Sequence, residues 1–412
     1  MFVYELHRSA LPQCLSLHRF KAVLRLPIQV DFFPFVTLPP MFLTSTNLIH
    51  YLTSHSLLSL EEVVDGDVSV LAAGRRNRNY RVARGERSGL FVKQVKAMDS
   101  ASLDIFNAEI AVYRKATQHP QWSSLLPRLY FADTQRYVLV LDLVHQSESI
   151  TQYCWRIGRF SNLVNKLLAQ ALAQFHHTAD LVEFEAHNSA PIRRKPVWIL
   201  EVEDFPEDAS KGAKSMLAYM KKHPIIFEGL KSVRRMWRCD QLIHGDMKWD
   251  NCLIYPDEAK QAQIKIIDWE LFGYGDRRWD LAGLLHSALL FWIEYQNSQA
   301  LLTTSPLIEE LLRKEREAPA GVNSTMQTLV ETYAQVCNLN FQTPDDLIEL
   351  LQFVAARLVL TTYEGVWKES AMPTSMSLIL QLARFIFEDP RRLVEQWFPN
   401  LVDAANGRTD HV

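Results

Sequence analysis

His244, Asp246 and Asn251 follow the order His-x-Asp-x-x-x-x-Asn inside the segment from Leu242 to Ile254. Phosphoryl transfer needs a carboxylate that orients an attacking hydroxyl and accepts its proton, with an oxygen ligand for Mg²⁺ close by. One loop at this spacing supplies both. Asp268 ends the second strand of the hairpin that follows, where a carboxylate can face the loop and hold metal beside the β- and γ-phosphates. A capping Asp and a turn Asn would account for the same residues structurally, but the loop motif and the Ile-Ile-Asp after one hairpin point independently to the same chemistry.

Such a site also needs a cation on the nucleotide. Lys93 lies in the middle of an apolar strand, and Glu109 is the acidic residue best placed inside the next helix to pair with it. A lone strand lysine more often lies on a solvated face, so this pairing rests on the downstream motif. The turn from Ala72 to Tyr80 contains a single glycine, Gly74, with Asn77 and the arginines Arg75, Arg76 and Arg78. Backbone N–H groups and these side chains can cradle phosphate; a charged hairpin tip fits the composition equally well.

The elements that position these residues divide in two. Strands are expected at 68–71, 79–83, 90–95 and 137–144, with a helix over 102–117 between the last two, giving an antiparallel sheet interrupted by one helix. After Val144 the pattern turns helical: 162–178, 213–220 and 226–237, then a hairpin from Cys252 to Ile267 turning at 255–258. Helices follow at 280–296, 305–316, 325–337, 344–369 and 375–388.

The 412 residues exceed a single core, so two lobes are expected. Apolar residues at 48% and charged residues at 22% exclude fibrous and disordered classes, and a net charge of -3 makes nucleic acid an unexpected partner. Five scattered cysteines without a C-x-x-C pair read as a reducing, cytoplasmic setting with no structural zinc. No apolar run reaches the ~20 residues of a membrane span. Residues 1–44 read as a poorly ordered or non-native extension, of which residues 1–40 are expected to be dispensable for catalysis. Ser45 or Thr46 would then cap a first helix.

With these motifs, the chain resembles the aminoglycoside phosphotransferase and choline kinase group over about residues 45 to 400. The match is carried by His-Gly-Asp-x-x-x-x-Asn at 244–251, Ile-Asp-Trp-Glu at 267–270, Trp-Asp-Leu-Ala at 279–282, Gly74 with Asn77, and Phe-Val-Lys at 91–93. The resemblance implies an α+β, bilobal protein-kinase-like fold: an amino lobe over 45–144 that binds nucleotide, and a helical carboxyl lobe over 145–405 with the catalytic loop and acceptor site. It implies ATP and Mg²⁺ as cofactors and a small-molecule hydroxyl as acceptor. Asp246 becomes the catalytic base in a loop begun by His244, Asn251 and Asp268 hold the metal, Lys93 and Glu109 clamp phosphate, and Asp280 braces the loop. The strand containing Asp142 leads into the hinge that receives adenine. Asp268-Trp269-Glu270 stands where protein kinases have Asp-Phe-Gly, closer to choline and thiamine kinases.

The same resemblance places acceptors beside the carboxyl-terminal helices, making Tyr363, Glu364, Trp367, Trp292 and Glu294 the residues to line that site, although helix aromatics more often serve the core. Glu270 either meets a cationic substrate or pairs with Arg277 or Arg278. The string from Asp268 to Asp280, with Trp249, is also similar to kinase-like subunits of class V lanthipeptide synthetases, which makes Ser and Thr of a precursor peptide the alternative acceptor. A nucleotide-binding scaffold without activity is the third reading; it has no need to keep Lys93, Asp246, Asn251 and Asp268 together. Oligomeric state is not legible in the chain.

Overall fold

In a computed structural model, the described residues are 42–73, 77–85, 87–97, 99–179, 192–298, 321–339, 343–399 and 401. The two-residue alternation between Val68 and Gln94 folds as three antiparallel strands, β1 (Val68–Ala72), β2 (Arg78–Arg84) and β3 (Arg87–Gln94). β4 (Leu129–Asp133) and β5 (Val138–Leu143) complete a sheet of order β1-β2-β3-β5-β4. β4 is not among the expected strands; it is a short edge strand of intermediate burial, which gives little alternation to read.

Two helices precede the sheet, α1 (Leu48–Ser54) and α2 (Leu60–Val64). The cap expected at Ser45 or Thr46 is absent: α1 begins after Asn47, whose side chain instead accepts the Thr44 N–H at 2.7 Å. The segment is tied to the sheet, because Leu43 N–H donates to Gln94 at 2.7 Å and the Tyr51 hydroxyl to Asp133 at 3.0 Å, both buried. The expectation for residues 1–40 and the helix expected at 305–316 lie outside the described residues.

α3 (Ser100–Gln118) starts where the Asp99 side chain accepts the Ser102 N–H, and it buries Phe106, Glu109, Ile110 and Tyr113. A short α4 (Pro120–Ser123) follows. Beyond the sheet, β6 (Glu148–Ser149) leads into α5 (Ile150–Ile157), which a Ser149/Gln152 capping box starts and left-handed Gly158 ends. The Ser-x-x-Gln signal of α5 is in the sequence but was not among the expected elements.

α6 (Asn162–Thr178), α7 (Lys211–Lys222) and α8 (Ile225–Met236) precede β7 (Gln241–Ile243). The hairpin is β8 (Cys252–Pro256) and β9 (Ala262–Ile266), its turn falling two residues later than expected because Tyr255 and Pro256 still pair with Gln263 and Ala262. β10 (Gly273–Gly275) pairs antiparallel with β7.

The rest is helical: α9 (Arg277–Ser298), α10 (Val322–Cys337), α11 (Pro344–Val366), α12 (Thr374–Glu388) and α13 (Pro390–Trp397). A Thr343/Asp346 capping box starts α11, and α11 ends at Val366, short of the expected 369. The fold is α+β and bilobal, an antiparallel sheet with α3 on the amino-terminal side and a mainly helical carboxyl-terminal part. Among its largest buried side chains, Trp249 belongs to the loop after β7, Trp269 packs on His244 of that loop, and Trp279 bonds its Gly245 carbonyl. Among the described residues, no helix is long and apolar enough to cross a membrane.

Candidate active site

The loop from His244 to Asn251 leaves β7 through Gly245, whose φ is +82°. Here a side chain is excluded twice, by that left-handed backbone and by the Leu271 carbonyl, which a Cβ would meet at 2.3 Å. The N–H groups of His244 and Gly245 both donate to the fully buried Asp280 of α9, at 2.6 and 3.0 Å. Asp280 also accepts from Nε2 of His176 on α6 at 3.2 Å, and Nδ1 of His176 faces the Tyr333 hydroxyl of α10 at 2.7 Å. Burial would raise the Asp280 carboxyl, yet His176 and the loop hold it below its ordinary range.

The His244 ring closes the turn locally. Its Nε2–H donates to the Ile267 carbonyl at 2.9 Å, and its Nδ1 accepts the Asp246 N–H at 3.2 Å, which fixes a neutral tautomer. His244 is therefore a fully buried link between the loop and the end of the hairpin.

Asp246 is partly exposed. Its Oδ2 accepts from Lys248 Nζ at 2.6 Å and Asn251 Nδ2 at 3.2 Å, while Oδ1 lies 3.8 Å from the Arg357 guanidinium. Burial pushes this carboxyl up, but Lys248 and Arg357 outweigh it and hold it below the usual carboxylate range. Neither cation was singled out in the sequence. Lys248 lies inside the motif, and Arg357 is more than a hundred residues away in an apolar helix.

Asn251 also donates to the Asp246 carbonyl at 2.8 Å, so its amide nitrogen is committed and its carbonyl oxygen is the remaining acceptor. Asp268 takes a left-handed backbone, φ 63° and ψ 59°, unusual for a residue with a side chain and a sign of imposed orientation. Its Oδ1 accepts from Lys93 Nζ at 2.9 Å. Lys93, 6% exposed, also meets Glu109 at 2.8 Å and Glu270 at 3.5 Å. One ammonium thus serves three carboxylates. Burial opposes the Lys93 charge, but these neighbours hold its pKa well above the ordinary value, and burial together with crowding by Asp268 pushes Glu109 up to about 7.

A cavity of about 430 Å³ opens over this cluster, lined by Lys93, Glu109, Asn251 and Asp268 and bounded by Leu141 to Val144. That volume is within the range of small-molecule sites. Asp142 lines it too, with its side chain bonded to Ser88 and Tyr130. The turn carrying Asn77 joins β1 to β2, and Gly74 lies outside the described residues. Asn79 Oδ1 and the Tyr113 hydroxyl line the cavity, buried and without a hydrogen-bond partner among the described residues, and were not foreseen.

The residues expected around an acceptor separate. Trp292 is buried in the core. Glu294 is half-buried, and burial and then Asp250 raise its carboxyl. Tyr363, only 4% exposed, packs at 4.6 Å from Trp198, 4.8 Å from Phe205 and 5.1 Å from Trp367 between ring centres. Glu364 is exposed on the same helix, and its charge reaches Lys248. The arginines expected beside Glu270 have other partners, Arg278 with Asp276 and Glu349 and Arg277 with Gln241, and Glu270 lies beside Lys93.

A model of the phosphotransferase enzyme family matches residues 67–301, more than half the chain. The chain belongs to that family. Among solved structures, a choline kinase from Cryptosporidium parvum is similar with a TM-score of 0.50 at 10% identity, covering 89% of this chain and 100% of that one. A choline kinase from Streptococcus pneumoniae (TM-score 0.48, 15% identity, 84% and 100% covered) and an aminoglycoside 2′-phosphotransferase bound to GDP (0.49, 14%, 85% and 98%) are also similar. A search of the curated proteins gives no match. The likeness to the first of these structures shows the shared protein-kinase-like fold, and the family match makes the chain a phosphotransferase.

The bracing by Asp280 generates a prediction. Asp280→Ala leaves two loop N–H groups and His176 without their acceptor inside the core, a loss on the order of 3 kcal/mol. Chemical denaturation of the variant beside the parent measures it.

Proposed function

We propose that this enzyme transfers the γ-phosphate of ATP, with Mg²⁺, to the hydroxyl of a small molecule. The observation that carries the reading is Lys93, which joins Glu109 of the sheet side to Asp268 of the helical side at the floor of the cavity. A phosphate clamp and a metal carboxylate must meet in this way for nucleotide to lie between them.

The residues fit a divalent cation. Asn251 and Asp268 offer an amide and a carboxylate oxygen, donors suited to a hard cation, on the same cavity wall. A Mg²⁺ held by these two protein oxygens would keep water or phosphate oxygens as its other ligands. Asp268, one of the carboxylates that meet Lys93, lines the same cavity as Asn251. When bound, the cation neutralises charge developing on the phosphates.

The protein's own groups do the rest. Lys93, held charged by its carboxylates, grips the α- and β-phosphates. Asp246, kept ionised by Lys248 and Arg357, presents Oδ1, which accepts no hydrogen bond among the described residues, to the acceptor hydroxyl. As the acceptor oxygen bonds to the γ-phosphorus and the bond to ADP breaks, the hydroxyl proton passes to that carboxylate. His244 and Asp280 hold the loop still. On the carboxyl-terminal side, exposed Glu364, near Lys248, and partly exposed Trp367 supply a charge and a ring for a polar or cationic acceptor, while buried Tyr363 packs against Trp367.

Two sets of variants test the reading. Asp246→Asn abolishes turnover while ATP affinity stays within a few-fold, whereas Asp268→Ala loses Mg²⁺-dependent ATP binding and Asn251→Ala loses part of it. Calorimetry with and without Mg²⁺, run beside a turnover assay over aminoglycosides, choline, thiamine, sugars and Ser/Thr peptides, reads both. Unchanged MgATP affinity in both metal-site variants would count against the assignment.

On the acceptor side, Glu364→Ala and Trp367→Ala raise the acceptor KM more than the ATP KM. Trp367 is partly exposed at the end of α11, so its loss costs less stability than the ~3–5 kcal/mol of a fully buried tryptophan. A large drop in melting temperature with both KM values unchanged would make it a core residue instead.

A further inference from the structure

Arg357 sits mid-way along α11, 2% exposed among apolar side chains. Burying a guanidinium costs free energy, and apolar replacement of buried ions is often neutral or stabilising. Packing alone therefore does not account for an arginine here; its partners do. Nη2 donates to the Met247 carbonyl at 2.5 Å and Nη1 approaches the Gly245 carbonyl at 3.5 Å. The group lies 4.9 Å from the centre of the Trp279 ring, which itself donates to the Gly245 carbonyl at 3.0 Å. Gly245 and Met247 are the residues on either side of Asp246. On α9, a side chain at Gly283 would meet the Met247 carbonyl at 2.0 Å and Arg357 at 3.1 Å, so a bare backbone there gives the arginine its room.

Resting on the assignment of Asp246 as the base, we propose that Arg357 is a positioning residue for phosphoryl transfer, gripping the peptide carbonyls on both sides of Asp246 and so fixing where its carboxylate meets the acceptor hydroxyl. The loop's N–H groups are held by the anion Asp280 on α9, and its carbonyls by a cation on α11. Opposite charges pull on opposite ends of the peptide dipoles. α11 continues from Arg357 to Thr361, which bonds His286 of α9 at 2.7 Å, and to Glu364, one and then two turns along the same face. The acceptor-side end of the helix and the arginine that grips the base's loop are thereby carried on one helix. A misplacement of about 1 Å at a reacting group costs on the order of 10²-fold in rate.

The test uses the full chain with MgATP and water as the phosphate acceptor. Arg357→Met lowers turnover by about 10²-fold with ATP affinity within threefold. Arg357→Lys retains the charge but has no fork for two carbonyls, and recovers only part of the rate. Hydrogen exchange over residues 243–248, which needs no turnover, accelerates at least tenfold in both variants while α9 and α12 keep their protection. If Arg357→Met does not fold, Arg357→Lys decides. Turnover and loop exchange equal to the parent's in either folded variant overturn the proposal, as does a loss of ATP affinity as large as the loss of rate. Asp246→Asn run alongside separates the two claims: an active Asp246→Asn removes the base assignment, whereas an inactive one beside unaffected Arg357 variants removes only the role of Arg357.

Discussion

Lys93 places one buried ammonium among carboxylates from separate parts of the chain, Glu109 on α3 and Asp268 and Glu270 just after β9. This is the contact that couples the sheet to the catalytic segment. A lone ion at such depth would be prohibitive, and only pairing makes it tolerable. Burial, with the charge of Asp268 close by, still pushes the fully enclosed Glu109 up to about 7 against the pull of Lys93. The cavity opens directly over this cluster.

The catalytic loop follows a different rule. It has little regular structure of its own, and its polar backbone is satisfied by side chains from distant helices: Asp280 and Ser287 on α9 take N–H groups, and Trp279 and Arg357 donate to carbonyls. A buried loop with unmet backbone groups would be unstable. Satisfying them from α9 and α11 ties the loop to the core, and the proposed base needs such support. Asp246 differs from the buried anchors in being partly exposed and, among the described residues, in accepting hydrogen bonds through Oδ2 while Oδ1 lies 3.8 Å from Arg357.

Much of this was legible in the sequence. The strands around Lys93, the hairpin after Asn251 and the long α11 follow from period and turn chemistry, and His244, Asp246, Asn251 and Asp268 converge because one loop and one hairpin carry them all. What escaped depends on three dimensions. Arg357 reads as a charge interrupting an apolar helix until α11 crosses the loop. Trp198 lies far in sequence from the Tyr363 it covers, and the short strand β4 has too few residues for a period. Glu270 was read against arginines close in sequence, but those arginines are held by Asp276, Glu349 and Gln241, and its neighbour is Lys93, remote in sequence. Contacts between distant segments are set by packing, which a one-dimensional pattern does not encode.

The central claim is that nucleotide lies over the Lys93 cluster with its γ-phosphate directed at Asp246. A crystal structure of the protein with Mg²⁺ and a non-hydrolysable ATP analogue tests it directly. The account predicts the α- and β-phosphates within hydrogen-bonding distance of Lys93, metal on Asn251 and Asp268, and the γ-phosphate facing Asp246. Phosphates bound elsewhere, with Lys93 still paired to Asp268 and Asp246 remote from the nucleotide, would contradict it.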